Sequence, residues 1–307
     1  MTRERNHTLD IIKLFAAMNI MLIHIPISMP ALIGSIYYSL FDFAVPTFAI
    51  ATGYLICEKF SDWNKLKKNV KTFFFLFLGW KIFYIIWTVS LRSNVYKIPL
   101  SSSFQWLILD SKYLLLGGQG FGIHLWYLLA MAQGITILYF LHKKFSWKQL
   151  TVFYFLLIII FNIIGVVLIN PINNSALSTT YMRNGLIEIP FFILLGINLR
   201  HNKTNSERIN LPLLIALLLI PVQIVEKLIY INVSQNSFLF GEISLCSIAI
   251  AYFLIKWSVQ NPNINFFPKL NPKFSEFFFF IHIAIIDIIK LISMMAFGKI
   301  SIVVAPI

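Results

Sequence analysis

The sequence predicts an all-α protein, a polytopic transmembrane helical bundle of about nine to ten helices. Of its 307 residues, 58% are hydrophobic and only 12% are charged, whereas soluble domains carry about 25% charged residues. Phenylalanine alone accounts for 30 residues, and a soluble core of this length cannot bury so much apolar surface. The apolar residues also come in runs close to the roughly 20 residues that cross a bilayer core. These observations indicate that the lipid bilayer is the solvent for most of the chain.

Nine apolar runs are predicted to span the membrane, and the last residues, 301–307, are compatible with the start of a tenth helix. The predicted spans are 9–29, 36–57, 72–91, 122–141, 149–169, 185–199, 210–230, 238–257 and 275–297. The segment 104–116 is short and amphipathic, which favours a helix lying in the membrane interface. No repeat and no change of composition divides the chain, so residues 1–307 are predicted to form a single domain.

The basic residues predict the orientation of these spans. With the N-terminus in the cytoplasm, sixteen of the 25 lysines and arginines fall on the inner side and six on the outer side. This bias is the one that the positive-inside rule describes. The net charge of +13 resides in short loops between apolar runs, which argues against nucleic acid as a partner. The expected location is therefore the cell membrane, multi-pass, with a cytoplasmic N-terminus.

The first span carries the strongest candidates for a functional site, because ionisable groups in lipid cost several kcal/mol. Lys13 and His24 are eleven positions apart, close to three helical turns, so both project from one face. Asp10 precedes Lys13 by one turn and can pair with it. A neutral imidazole at His24 could accept a proton from a hydroxyl. The structural alternative is that Lys13 extends to the interface and His24 bonds to a neighbouring helix.

Other spans add polar candidates. The fourth opens with His124 and Trp126, and for Trp126 the alternative is an aromatic-belt anchor. The second contains Asp42 and then Pro46, which removes a helical hydrogen bond. Discontinuous helices at membrane depth usually line a cavity, although a kink needed only for packing is the alternative. Together with Trp126 and Asp42, four residues of later spans are candidates for binding the substrate: Arg183, Asn184, Glu188 and His282.

A lysine-rich loop is predicted between the second and third spans, with five lysines from Lys59 to Lys71. It is either a charge cluster that sets topology or a cradle for an anionic cofactor entering from the cytoplasm. In the second case Lys67, Lys68 and Lys71 would meet the cofactor, and Lys81 would extend the positive track into the third span. The sequence has no Walker loop, dinucleotide fingerprint or zinc-type spacing of cysteine and histidine, so no metal is expected.

The order and spacing of these motifs resemble the membrane acyltransferase family 3. The stretch LDIIKLFAAMNIMLIH is similar to its first-helix signature, which is Leu-Asp, a basic residue, ten intervening residues and a histidine. Four later stretches resemble its other motifs: FAVPTFAIATGYL, HLWYL, RNGLIEIPFFILLGINL and FSEFFFFIHIAII. Lys13 and the RNG at 183–185 also resemble the branch that includes the membrane half of vancomycin-resistance serine racemases.

The resemblance implies a membrane O-acyltransferase that moves an acyl group, usually acetyl from acetyl-CoA, onto a hydroxyl of an envelope glycan or related acceptor. His24 would match the catalytic histidine and Lys13 its basic partner, with Asp10 and His124 beside them. Lys68 and Lys71 match the spacing of a cytosolic Arg-x-x-Arg motif that meets coenzyme A. In this chain lysine replaces arginine at these positions, and lysine lacks the fork that binds phosphate bidentately.

The rival interpretation is a transporter or exporter, for serine uptake or polysaccharide export, in which the same polar residues line a path. Transporters often contain inverted repeats, and none is recognisable in this sequence, which favours the enzyme.

Overall fold

The computed structural model describes residues 5–25, 29–112, 121–164, 185–202, 210–234, 244–264, 267, 271 and 273–297. Within these ranges the regular structure is helical and there is no strand, as the composition predicts. The α-helices are α1 (His7–His24), α2 (Ala31–Ser39), α3 (Ala44–Ile56), α4 (Trp63–Asn94), α5 (Leu100–Lys112), α6 (Trp126–His142), α7 (Trp147–Ile164), α8 (Glu188–His201), α9 (Leu211–Ser234), α10 (Leu245–Gln260) and α11 (Phe274–Phe297). Short 3₁₀ turns precede α4 and α6, at Cys57–Ser61 and Ile123–Leu125.

Five stretches within the described ranges are long and apolar enough to cross a membrane. They are His7–His24, Leu32–Ser61, Trp63–Asn94, Leu211–Ile229 and Phe274–Ala296, and shorter apolar helices occupy Trp126–His142, Trp147–Phe161 and Leu245–Gln260. All nine predicted spans overlap these stretches or α8. The ends predicted at 165–169 and 238–243, and the possible tenth helix at 301–307, lie outside the described residues.

The outer surface of the bundle is apolar. Large side chains such as Phe75, Ile86, Leu218 and Met295 are each more than 60% exposed. A water-soluble protein rarely exposes so many large apolar side chains on one surface. The exposure is explained when these helix faces contact lipid.

The centre of the bundle is the contact between α3 and α8, which two glycines make possible. A Cβ at Gly196 would lie 2.0 Å from the carbonyl oxygen of Ile50 and 2.6 Å from the amide nitrogen of Tyr54. A Cβ at Gly53 would lie 2.2 Å from the carbonyl oxygen of Ile193. Small residues at such crossings let helix backbones approach closely, which is how apolar helices gain packing energy in lipid.

The second predicted span, 36–57, is interrupted as expected, but the break precedes Pro46. Helix α2 ends at Ser39 and α3 begins at Ala44, with a turn between them. Pro46 lies in the first turn of α3, where a missing amide hydrogen costs no helical hydrogen bond. The proline therefore helps α3 to begin and does not kink it.

The lysine-rich segment is not a loop, which corrects the sequence prediction. Helix α4 already begins at Trp63 and continues for 32 residues, about 48 Å at 1.5 Å per residue. The Asp62 side chain caps it by accepting the amide hydrogen of Asn64 at 2.9 Å. Apolar periodicity indicates only the part of a helix that contacts lipid or the protein core. The first turns of α4 are polar, so no apolar pattern indicates that the helix begins there.

Several helices end together on the side that we call the basic end, defined by the first turns of α1, α4 and α11. There the amide of His7 donates to the carbonyl of Pro262 at 2.9 Å. Arg200 at the end of α8 pairs with Glu58, just after α3. These contacts tie the helix ends on this side to one another and so fix the register of α1, α3, α8 and α10.

Candidate active site

Three histidines from separate helical segments converge inside the bundle. His24 is the last residue of α1, His124 lies in the 3₁₀ turn before α6, and His282 lies in α11. The ring centroid of His282 is 5.2 Å from that of His24 and 4.7 Å from that of His124. His24 and His124 are 6.3 Å apart. The structure thus brings the two predicted catalytic histidines together and adds a third, for which the sequence suggested only substrate binding.

Two residues of α4 hold the segment that carries His124. Lys81 is 4% exposed, and its Nζ donates to the carbonyl oxygen of Phe121 at 2.5 Å. Gly122 follows at a φ of +66°, where a Cβ would meet the ring of Tyr84 at 3.1 Å, so glycine suits both the conformation and the space. The ring of Tyr84 makes an edge contact with His124, with centroids 4.9 Å apart. Lys81 therefore helps to place His124 and does not lie with the exposed lysines, as the predicted positive track would require.

Backbone carbonyls of α11 fix the ring nitrogens of the two deeply buried histidines. His282 Nδ1 lies 2.7 Å from the carbonyl oxygen of Phe279. His124 Nε2 lies 3.3 Å from that of Phe280, which also accepts from the Tyr84 hydroxyl at 2.6 Å. Because a carbonyl oxygen only accepts, these two ring nitrogens carry the hydrogens.

The remaining ring nitrogens of the neutral rings carry lone pairs and can accept hydrogen bonds. They are Nε2 of His282 and Nδ1 of His124, and neither has a hydrogen-bond partner within the described ranges. Buried polar atoms in folded proteins are nearly always paired. Two buried lone pairs in one cluster therefore favour a role as hydrogen-bond acceptors in a functional site over a purely structural one.

A cavity of about 220 Å³ lies beside the cluster, towards the basic end, between α1, α3, α4, α6 and α11. Its polar lining includes Lys13, Thr52, Asn69, Thr72 and Glu276. Phe279 forms part of its wall, and the Phe279 ring lies 5.8 Å from the ring of His124 and 6.0 Å from that of His282. One phenyl ring therefore separates the cavity from the histidines.

An ionic network lies where the cavity faces the basic end. Lys13 Nζ is 3.8 Å from Asp10 and 3.9 Å from Glu276, and Arg5 donates to Asp10 at 2.8 Å. The predicted pairing of Asp10 with Lys13 is confirmed. His24 is roughly 16 Å further along the same helix, so Asp10 and Lys13 belong to the opposite end of the cavity from the histidine cluster.

The exposed lysines of α4 point in two directions. They are Lys65, Lys67, Lys68 and Lys71. Lys65 precedes Asn69 by one turn and Lys68 precedes Thr72 by one turn, so these two share the flank that lines the cavity. The other two are also one turn apart, but they lie on a different flank of the helix. Helical register therefore places Lys65 on the cavity side and Lys67 on the far side of α4, with Lys68 and Lys71 between them.

The remaining predicted site residues lie elsewhere. Trp126 is 8% exposed and Glu188 is 2% exposed, so Trp126 packs inside the bundle and not in an aromatic belt. Asp42 Oδ2 lies 3.9 Å from Lys227 Nζ, and both side chains are less than 10% exposed. The predicted positions Arg183 and Asn184 lie outside the described residues.

Sequence reasoning missed two residues that matter to this geometry. Tyr84 gave no signal, because a tyrosine in an apolar run is ordinary. Lys227 did give one, since a lysine inside the apolar run of α9 needs a partner, but the charge count places it among the six basic residues of the outer side. Only the folded chain shows that the partner comes from the turn between α2 and α3.

Comparison with known proteins identifies a family for the chain. A family model described as an acyltransferase domain, of the acyltransferase 3 type, matches residues 6–302. The match therefore covers the cavity and all three histidines. Neither curated proteins nor solved structures gave a significant match.

Proposed function

Because the chain belongs to the acyltransferase 3 family, we propose that it is an integral membrane O-acyltransferase that uses acyl-CoA. It moves an acyl group, most simply acetyl, from the cytoplasmic side to a hydroxyl of an extracytoplasmic envelope glycan or related acceptor. The observation that carries this proposal is the cavity that runs from the basic end to within one phenyl ring, that of Phe279, of the histidine cluster. The resemblance of the chain to the family branch that includes the membrane half of vancomycin-resistance serine racemases stays a prediction.

The basic end suits an acyl-CoA donor. Lys65 and Lys68 stand on the cavity flank of α4, one turn before Asn69 and Thr72 of the cavity lining. Asn69 and Thr72 offer polar groups where that arm would enter, and the rest of the lining is largely apolar. Charged groups at the mouth and an apolar interior match a ligand with phosphates at one end and a thioester at the other.

The chemistry follows from the position of His24. A neutral imidazole takes the proton of the acceptor hydroxyl as its oxygen attacks the thioester carbonyl. The carbon–sulfur bond then breaks, and coenzyme A leaves as a thiolate that takes the same proton from His24. No proton is gained or lost in the complete reaction. His24 is half-buried and ends its helix, so it can face a hydroxyl that arrives from the far side of the membrane.

The direct test is acetyl transfer from radiolabelled acetyl-CoA in proteoliposomes that contain an envelope-glycan acceptor. We expect label on the acceptor only when protein and acceptor are both present. If acetyl-CoA is never consumed, the enzymatic proposal fails. Flux of serine or polysaccharide that depends on His24 would then establish the transporter alternative.

We predict that two lysines on the cavity flank capture the donor. The double variant Lys65→Ala/Lys68→Ala should raise the KM for acetyl-CoA about fivefold at low salt, since exposed ionic contacts contribute on the order of 1 kcal/mol. Added salt should reduce the difference between wild type and variant, because exposed charges are screened. Steady-state kinetics at two ionic strengths would measure both effects.

The matched control is Lys67→Ala/Lys71→Ala, which removes the same charge from the same turns on another flank. We expect its KM to stay near that of the wild type. Equal effects in the two variants would mean that only the general positive field attracts the donor. No effect in either would leave the lysines with a role in topology alone.

We also predict that the basic end faces the cytoplasm, as the charge bias requires. In a background without Cys57 and Cys246, a cysteine replacing Asn64 should react with an impermeant maleimide only after the membrane is opened. A cysteine replacing Asn94, at the other end of α4, should react from outside in intact cells. The reverse pattern would invert the topology and, with it, the proposed direction of transfer.

A further inference from the structure

We propose that His282 is the positioning residue for His24. In this arrangement Nε2 of His282 accepts a hydrogen bond from the ring N–H of His24 and stabilises the imidazolium that forms during acyl transfer. The inference rests on the proposed function and assigns to His282 the task that a carboxylate performs in other nucleophilic sites.

The first support is geometry. The ring centroids of His24 and His282 are 5.2 Å apart and the ring planes are inclined by 32°. Two five-membered rings joined edge to edge by an N–H···N bond of about 3 Å have a centroid separation close to this one. The structure does not show the bond formed, since His282 Nε2 has no hydrogen-bond partner within the described ranges, and a turn of the His24 ring that points its N–H at Nε2 would complete it. The two rings belong to different helices, α1 and α11, so their proximity results from tertiary packing and not from helical periodicity.

The second support is the tautomer of His282. Its Nδ1–H donates to the carbonyl oxygen of Phe279 at 2.7 Å, which leaves the lone pair on Nε2. That atom is buried and has no hydrogen-bond partner within the described ranges. The backbone therefore sets His282 as an acceptor before any proton moves, which is how bonds from the backbone orient catalytic and metal-binding imidazoles.

The third support is that the acidic residue suggested by the sequence lies too far away. Asp10 precedes His24 by fourteen residues, about 21 Å along a helix, and it binds Arg5 and Lys13. His282 is fully buried and lies in the same cluster as His24. A neutral acceptor also costs less to bury in a membrane protein than a carboxylate does.

His124 packs against the ring of His282 and helps to hold it in place. Its ring lies 4.7 Å from that of His282 at an angle of 65°, and its Nε2–H donates to the carbonyl oxygen of Phe280. Both rings are thus anchored to successive carbonyls of α11. This leaves the ring of His282 little freedom to turn its Nε2 away from His24.

The proton stays within the site throughout. One ring nitrogen of His24 takes the proton from the acceptor hydroxyl. The N–H at the second ring nitrogen of His24 donates to Nε2 of His282. His24 then gives the proton to the departing thiolate of coenzyme A. His282 is neutral before and after the reaction, so it neither supplies nor removes a proton.

Two amide substitutions separate this role from a structural one. In His282→Gln, the amide oxygen can occupy the place of Nε2 and accept from His24. In His282→Asn, the shorter amide can replace Nδ1–H and keep the bond to Phe279, but it cannot reach His24. We expect the glutamine variant to keep kcat within about tenfold of wild type. The asparagine variant should lose about 10² in kcat, the effect of a misplaced catalytic group, with the KM for acetyl-CoA unchanged.

The control is His142→Gln, the same substitution at a histidine that stacks on Trp147 at the basic end, and its kcat should match the wild type. If His282→Asn is active and His282→Gln is not, the bond to Phe279 is what matters and the proposal is overturned. Wild-type kcat in both variants would overturn it equally.

A second measurement does not depend on acyl transfer. The rate at which diethyl pyrocarbonate modifies His24, followed by mass spectrometry, reports the nucleophilicity of the ring nitrogen that takes the proton in the proposed reaction. We expect this rate to fall several-fold in His282→Asn and to be kept in His282→Gln. If acetyl transfer is absent in the wild type but this pattern holds, the function is wrong and the pairing is right. If the rate is the same in wild type and both variants, the pairing is wrong whatever the function.

Discussion

Replacing His24 by alanine is expected to abolish acetyl transfer, with kcat falling by about 10²–10⁴, while the protein still inserts and folds. A positioned general base contributes this much to the rate, whereas a hydrogen bond between membrane helices contributes only about 1 kcal/mol to stability. His24 is the last residue of α1 and half-buried, so its removal leaves the helix intact. Transfer of labelled acetyl in proteoliposomes, together with size-exclusion chromatography of the variant, measures both effects.

His24→Gln is the more discriminating variant. Glutamine keeps a hydrogen-bonding group at this position but cannot take a proton at neutral pH. We therefore expect it to be as inactive as the alanine variant. Near-normal turnover in a well-folded glutamine variant would make His24 structural and would remove the central residue of the mechanism.

The largest loss of stability is expected from Gly196→Ala. The added Cβ would lie 2.0 Å from the carbonyl oxygen of Ile50 and 2.6 Å from the amide nitrogen of Tyr54. Both are backbone atoms of α3 that cannot move aside independently, so α3 and α8 must separate. Overpacking of this kind costs about 3 kcal/mol or more, a large share of the roughly 5–15 kcal/mol that holds a typical protein folded. The melting temperature in detergent and the yield of monodisperse protein would both fall.

The matched control is Gly79→Ala, the same change in the middle of α4. A Cβ at Gly79 would meet nothing within 4 Å, and alanine favours a helix by up to about 1 kcal/mol over glycine. Stability should therefore stay the same or rise. If Gly196→Ala melts at the same temperature as Gly79→Ala, the close crossing of α3 and α8 does not exist in the folded protein.

The fold was predictable from the sequence because lipid imposes a simple rule on composition. Each apolar run of about 20 residues had to be a helix, and the helices overlap the predicted spans. The predictions were wrong at helix ends and breaks, where contact with lipid does not determine the sequence. The first turns of α4 are polar, so apolar runs could not show that the helix starts at Trp63. Pro46 kinks a helix only if it lies beyond the first turn. The apolar run around Pro46 does not indicate where α3 begins, so the sequence could not decide this.

The site was predictable only in part. His24 and His124 stood out because ionisable groups inside spans require a reason. Their convergence with His282 depends on how α1 and α11 pack and on the turn that Gly122 makes, both of which are tertiary features. Helical register did predict that Lys13 and His24 share a face. It could not show that the cavity wall runs along the flank of α4 that carries Asn69 and Thr72.

The length of α4 links donor capture to the thickness of the surrounding bilayer. Its apolar part, predicted at 72–91, matches a hydrocarbon core of about 30 Å, so its first nine residues stand roughly 13 Å beyond it on a rigid stalk. In a thicker bilayer the lysines of these first turns lie in the headgroup region. In a thinner bilayer they extend beyond the headgroups into water. Adjustment to such mismatch costs only fractions of a kcal/mol per Å. The lipid composition of the membrane can therefore change how readily an anionic donor is met, without altering any residue of the active site.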